Sequence, residues 1–148
     1  MTTPYPVPAA TEEPLGSVTR ILSLTAGDGE DVFSGDSLPQ LSGRVYGGQV
    51  VAQGMLAAAA TIEDDGDGER LPHSVHAFFM RGGQPDTPIT FTVERLHDGR
   101  SFSQRRTAAS QEGKQILTMP TNIDHTDAHA LNAVDMGDVG LYEFDDIF

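Results

Sequence analysis

The stretch from Gly47 to Ile62 constrains the fold more than any other part of this 148-residue chain. Its residues predict a helix of about 16 residues, roughly 24 Å long at a rise of about 1.5 Å per residue. Valine, alanine, methionine and leucine fill nearly every position, so the helix has almost no polar face. Because a helix that is apolar all round is normally enclosed by its domain, we expect the rest of the chain to surround this one.

The few polar groups of this helix lie at its start. Gln49 and Gln53 are four residues apart, and they therefore share one face. Gly47 and Gly48 allow another group to approach the free backbone N–H donors of the first turn. Two interpretations stay open: the helix start is an acyl or phosphate site, or the glycines form only a tight turn into a core helix.

Composition excludes several classes of function. The formal net charge of −13 and the pI near 4.4 argue against binding to nucleic acid or to an anionic membrane surface. The chain has no cysteine, which excludes disulfides, thiol nucleophiles and cysteine metal sites. We find neither an apolar run of membrane-spanning length nor a signal peptide, and we expect a cytoplasmic protein.

The length favours one domain with a tail on either side. We assign residues 1–16 to a flexible proline-rich tail, 17–123 to the folded domain and 124–148 to an acidic tail. The segment 17–25 fits a helix or a strand equally well, and Val32-Phe33 indicates an anchor or a short strand. Between the helix and the next apolar segment, residues 63–69 predict a solvated acidic loop.

Beyond residue 71 the apolar pattern changes from helical to alternating. Residues 73–80 are apolar on both faces, which is typical of a strand covered on two sides. Ile89, Phe91 and Val93 alternate with polar residues and predict a half-buried strand.

Two hairpins follow. Asp98-Gly99 predicts a turn that needs positive φ, with residues 101–110 as the partner strand. A second turn at 111–114 leads to a strand over 115–119, and Pro120 fits best at a strand end or edge. The chain thus predicts an α+β domain in which a single antiparallel sheet of at least three strands wraps around the helix.

Three blocks of sequence resemble the first half of the type II acyl-CoA thioesterases, the TesB family, and they occur in the family's order and spacing. The blocks are Arg44-Val-Tyr-Gly-Gly-Gln-Val-Val-Ala-Gln53, Leu71-Pro-His-Ser-Val-His-Ala-Phe-Phe-Met-Arg81 and Glu94-Arg-Leu-His-Asp-Gly-Arg-Ser-Phe-Ser-Gln-Arg-Arg106. The resemblance implies the hotdog fold, in which an antiparallel sheet wraps around a long helix. It also implies hydrolysis of acyl-CoA thioesters to free acid and CoA without a metal or another cofactor.

The resemblance covers one unit of a family whose members carry two hotdog units in one chain. The family's catalytic aspartate, threonine or serine, and glutamine lie mainly in the second unit. The chain also has Gly82-Gly83 where the family usually has Pro-Gly. Because a single unit leaves a sheet edge and a helix flank uncovered, we expect a homodimer or a higher homo-oligomer.

Candidate site residues come from the matched blocks. For catalysis we consider His73, as a general base near neutral pH, and Gln49, which could orient water. The candidate substrate-binding residues are Gly47 and Gly48 as oxyanion donors, Gln53 beside the acyl group, and Arg105 and Arg106 for a CoA phosphate. The alternatives are a structural histidine and arginines in surface salt bridges.

Two other readings are weaker. Ser74 beside His73 does not make a nucleophile and base, because neighbours on a strand point apart. The run His125-Thr-Asp-Ala-His129 lies in the acidic tail, and we assign no metal site to it. The competing functions are a non-catalytic acyl-CoA-binding or scaffold unit, and one half of a heteromer whose second half is encoded elsewhere.

Overall fold

The structure is a computed structural model, and it describes residues 14–38, 40, 42–63 and 70–125. The described residues form two helices and seven strands in one antiparallel sheet. The sheet has the order β1-β2-β5-β6-β7-β3, and β4 continues the β3 edge by pairing with β7. The elements in chain order are α1 (Pro14–Leu22), β1 (Thr25–Ala26), β2 (Val32–Gly35), α2 (Gly47–Ala59), β3 (Arg70–Val75), β4 (Phe78–Phe79), β5 (Ile89–Asp98), β6 (Phe102–Gln111) and β7 (Lys114–His125).

The segment 17–25, which fitted either a helix or a strand, is helical as far as Leu22, because α1 begins at Pro14 and ends there. Ile21 is the buried apolar residue of this helix, and the Thr19 hydroxyl donates to the Leu15 carbonyl one turn earlier. The predicted strand or anchor at Val32-Phe33 is β2. The acidic loop falls outside the described residues from 64 to 69. Of the two tails, assigned to residues 1–16 and 124–148, residues 14–16 lie in α1 and residues 124–125 in β7, and the rest falls outside the described residues.

The central helix α2 lies against the sheet through one face. Val50, Gly54 and Ala57 are buried there, at the spacing of successive helical turns. The helix begins at Gly47 as predicted and ends at Ala59, three residues before the predicted end. The expectation that it is surrounded is wrong, because Leu56 is 42% exposed on the side away from the sheet. The sheet covers one face of α2, and α1 and the segment after β2 pack beside its first turns.

The edge of the sheet also differs from the prediction. Residues 73–80 do not form one strand: β3 ends at Val75, and β4 covers only Phe78 and Phe79. Coverage on two sides is likewise wrong, since four apolar residues of this edge are 40–54% exposed, namely Val75, Phe78, Phe79 and Met80.

Pro120 explains the break between β3 and β4. It lies inside β7, where the sequence predicted a strand end or edge. Its carbonyl accepts from the His76 N–H at 3.1 Å, so the proline nitrogen faces the same side. Proline has no N–H, so β7 cannot donate a hydrogen bond at this position. The two residues opposite it are those that separate β3 from β4, and the edge strand is interrupted there.

The meander from β5 to β7 forms the floor beneath α2. Ile89, Phe91 and Val93 are buried as the alternation predicts. The turn between β6 and β7 has positive φ at both central residues, Glu112 (49°) and Gly113 (73°), as in a type I′ turn. The expected positive φ at Asp98-Gly99 is absent, and that hairpin is closed by the Gly99 N–H donating to the Phe102 carbonyl at 3.0 Å.

Candidate functional site

The start of α2 is open. Tyr46 precedes the helix in an extended conformation, and its side chain makes no capping hydrogen bond. Its carbonyl accepts from the N–H groups of Gln49 and Val50. Within the described part of the chain, the N–H groups of Gly47 and Gly48 have no acceptor. Two donors at the positive end of the helix dipole are therefore available to a partial negative charge.

Two aromatic rings explain the glycines at this point. A β-carbon on Gly47 would lie 3.1 Å from Cζ of Phe79, and one on Gly48 would lie 2.6 Å from Cε1 of Tyr46. Both rings are more than half exposed, at 54% for Phe79 and 64% for Tyr46. Gly47 and Gly48 thus let the rings flank the helix start, which a simple tight turn would not require.

Gln49 and Gln53 are buried, and they share one face as the spacing predicts. The Gln49 amide donates to Gln53 Oε1 at 3.3 Å and to the Asp36 carbonyl at 3.1 Å. The Gln53 amide donates to the carbonyls of Ile21 at 2.7 Å and Asp36 at 2.8 Å. Gln53 therefore ties α2 to the end of α1, and both glutamines tie it to the segment after β2, so they hold the helix start in place.

His73 lies away from this site. The register between β3 and β7 shifts between Pro72 and Ser74, which makes His73 the extra residue of a bulge. Its Nδ1 is 3.5 Å from a carboxylate oxygen of Asp124, and its side chain is 68% exposed. Asp124 follows the buried Ile123, so its side chain is on the sheet face that turns away from α2. The structure does not bring His73 and Gln49 together.

Arg105 is buried beneath the other end of α2. Its guanidinium donates to the hydroxyl of Thr61 at 2.7 Å, to the Thr61 carbonyl at 3.3 Å and to Asp98 at 2.6 Å. Burial by itself would raise the pKa of Asp98, but hydrogen bonds from Arg105 and Ser103 outweigh it and leave that pKa below its usual value. Arg106 pairs with Glu94 on the exposed face. Neither guanidinium faces the helix start.

A pocket of about 430 Å³ lies near Arg105, at the end of the molecule opposite the helix start, and Arg95, Arg70 and Arg100 are among its lining residues. Arg95 binds both carboxylate oxygens of Asp31, at 2.7 and 3.0 Å, and it also contacts Glu63. The hydrogen bond from Arg95 lowers the pKa of Asp31. Carboxylates thus neutralise Arg95 at this pocket.

The described residues hold no group of three or more histidine, aspartate or glutamate side chains able to bind a metal ion. None of their helices is long and apolar enough to cross a membrane.

Sequence reasoning overlooked Tyr46 and Phe79, and also Arg44 and Arg81, which lie in the segments that frame the helix start. The signal was present, because all four residues belong to two of the three blocks that carry the family resemblance. What the sequence did not show is that β4 and the segment before α2 meet at Gly47.

Comparison with known proteins places this arrangement in a family. The chain is 40% identical over 100 residues to human acyl-coenzyme A thioesterase 8, an alignment that covers 68% of this chain and 30% of the relative. The tesB protein of Mycobacterium avium subspecies paratuberculosis superposes with a TM-score of 0.67 at 35% identity, over 74% of this chain and 42% of that one.

A thioesterase-like protein of Streptococcus pneumoniae, solved with coenzyme A, superposes with a TM-score of 0.60 over 74% of this chain and 90% of its own. At 12% identity, this match shows the fold alone. The hotdog fold is therefore confirmed, and the chain spans less than half the length of the human and mycobacterial relatives. The sequence matches the acyl-CoA thioesterase N-terminal domain over residues 36–122, and the chain belongs to that family.

Proposed function

We propose that this chain is one hotdog unit of an acyl-CoA thioesterase, which hydrolyses acyl-CoA to free acid and CoA when two units are associated. The observation that carries the proposal is the open start of α2. There the N–H groups of Gly47 and Gly48 have no acceptor among the described residues, and two exposed rings flank them. Donors fixed in this way stabilise the oxyanion that forms when water attacks a thioester carbonyl.

The proposed roles follow from these positions. Gly47 and Gly48 donate to the thioester oxygen, while Gln49 and Gln53 act as positioning residues because their amides already bond to the backbone of the domain. The acyl chain lies along the exposed apolar side of α2, where Leu56 is uncovered. His73 and Arg105 are left out of this site, since one lies on the opposite sheet face and the other is buried under the far end of the helix.

The second unit in this proposal is another copy of the same chain. Within the described residues, β3 and β4 pair only with β7, so their outer side is a free edge. That edge carries the exposed Val75, Phe78, Phe79 and Met80. A free apolar edge is a template for strand addition, and a two-fold axis through it would bring two helix starts to one interface. We propose a cytoplasmic homodimer of this kind.

A thiol-release assay with acyl-CoA substrates of increasing chain length tests the activity directly. We expect hydrolysis by the purified oligomer and a loss of kcat of about tenfold or more when Gly48 is replaced by alanine. The added β-carbon would lie 2.6 Å from Cε1 of Tyr46, and relieving this contact moves the helix start and misaligns its N–H donors. Circular dichroism must show that the variant is folded. Absence of hydrolysis by a folded oligomer at every chain length would refute the enzyme proposal.

One observation favours the alternative, a non-catalytic acyl-CoA-binding unit. The side-chain amides of Gln49 and Gln53 are engaged by Asp36, Ile21 and each other, which leaves neither amide free to orient water. Under this alternative the protein binds acyl-CoA in equilibrium dialysis and releases no thiol.

A further inference from the structure

Two exposed arginines, Arg44 and Arg81, belong to the segments beside the start of α2, and neither has a carboxylate partner among the described residues. The side chain of Arg44 crosses the backbone at Gly82, where a β-carbon would lie 3.0 Å from Cδ of Arg44. Arg81 directly precedes Gly82 and lies two residues after Phe79. The ring of Phe79 packs on Gly47. Both side chains therefore originate within the two segments that frame the open N–H groups.

These segments are held together by the backbone. The N–H of Val45 donates to the carbonyl of Gly83 at 2.9 Å, and the N–H of Met80 donates to the carbonyl of Ile116 at 2.9 Å. Arg44 and Arg81 each lie next to one of these anchored residues. Backbone hydrogen bonds thus fix the main chain at both arginines relative to the helix start, although both side chains are exposed.

Unpaired arginines are notable in a chain with 22 acidic and 9 basic residues. Arg95, Arg105 and Arg106 each bind a carboxylate. Within the described residues, Arg44 and Arg81 have no acidic oxygen within 4.0 Å, which is also true of Arg20 and Arg100. Arg44 and Arg81 differ from those two because they belong to the segments that frame the helix start. The field of a protein with a net charge of −13 repels an anionic ligand, so an anion can bind only where cations are concentrated and not neutralised.

We propose that Arg44 and Arg81 form a subsite for the phosphate groups of CoA. The identification of the ligand rests on the proposed thioesterase function, whereas the preference for a phosphate anion rests on the two arginines. With the thioester carbonyl at Gly47 and Gly48, the nucleotide part of CoA extends past Phe79 toward both guanidinium groups. Arginine suits this role because its planar group bonds phosphate oxygens in pairs. The subsite replaces the expected one at Arg105 and Arg106.

Binding of CoA and of pantetheine, which lacks the nucleotide and its phosphates, tests the subsite by calorimetry on the full chain. We expect R44Q and R81Q each to weaken CoA binding about three- to tenfold, and the double variant to weaken it more. Added salt should weaken CoA binding to the wild type and affect the double variant less. Pantetheine binding should be the same for all proteins.

The matched control is R100Q. Arg100 is also exposed, but it lines the pocket at the other end of the molecule together with Glu63 and Asp98, so its replacement should leave CoA binding unchanged. The subsite is refuted if R44Q and R81Q bind CoA like the wild type, if pantetheine binding falls equally, or if wild type does not bind CoA at all. Binding that depends on both arginines, without hydrolysis of any acyl-CoA, would support the subsite and refute the enzyme.

Discussion

Replacement of Arg105 by methionine should destabilise the domain by about 3 kcal/mol. Arg105 is 0% exposed, and it makes two hydrogen bonds to Thr61, one to Asp98 and one each to the carbonyls of His97 and Gln104. Methionine retains much of the side-chain volume but none of the donors. Losing the two buried bonds to Thr61 costs about 1 to 1.5 kcal/mol each, and the partly exposed acceptors add less.

The ion pair with Asp98 does not add the full cost of a broken buried pair. The Asp98 side chain is 54% exposed, so water can solvate its carboxylate once Arg105 is removed. Urea denaturation followed by circular dichroism measures the free energy of unfolding, and the corresponding fall in Tm is roughly 10 °C for a chain of this size.

Arg106 provides the matched control, because it is the next residue and pairs with Glu94 on the surface, with both side chains about half exposed at 52% and 54%. R106M should therefore change the free energy of unfolding by less than about 0.5 kcal/mol. If R105M and R106M are equally stable, the buried hydrogen bonds of the Arg105 guanidinium do not hold the end of α2 to the sheet, and the predicted loss of stability is wrong.

Three further predictions concern a turn, acid stability and the free edge. Gly113→Ala should lower the free energy of unfolding, measured by urea denaturation, by about 1 kcal/mol. The cost comes from the backbone alone, because φ is +73° and no heavy atom lies within 4 Å of an added β-carbon. A variant as stable as the wild type would contradict the left-handed turn. The pKa values of Asp31 and Asp98 are lower in the folded protein than the value of 3.8 of a free aspartate. Their ionised carboxylates therefore stabilise the fold fully at pH values above 3.8, and this stabilisation is lost as the pH falls through the folded-state pKa values. The Tm should accordingly drop below about pH 4, with a shallower drop for Asp31→Asn than for wild type. Val75→Pro should convert the homodimer to a monomer, as measured by light scattering. The His76 N–H points to β7, so the N–H of the preceding Val75 points to the free edge, and proline would remove this donor. The control variant Val75→Ala keeps the N–H and should remain dimeric.

The sequence was sufficient for features that depend on neighbouring residues. The alternation of Ile89, Phe91 and Val93 identifies a half-buried strand, and the small apolar residues after Gly48 identify the central helix. The resemblance then supplied the hotdog fold. Short-range patterns, however, show which residues are apolar and not what covers them. This explains why the exposed side of α2 at Leu56 was expected to be buried.

The rest depended on contacts between distant parts of the chain. Arg105 was interpreted as a phosphate ligand because its partner Thr61 is 44 positions away. The bulge at His73 and the break opposite Pro120 arise from the register between β3 and β7, which composition does not reveal. Phe79 likewise reaches Gly47 only after the edge strand has paired. The candidate site therefore needed the fold, even though its residues were present in the matched blocks.

The dependence of specific activity on protein concentration tests the central claim most directly, namely that two hotdog units must associate to hydrolyse acyl-CoA. Thiol release should be measured across a dilution series, with the fraction of dimer determined at each concentration by light scattering. We expect the activity per chain to follow the fraction of dimer and to be lost in V75P. Full activity in the monomer, or a folded dimer that hydrolyses no acyl-CoA, would contradict the account.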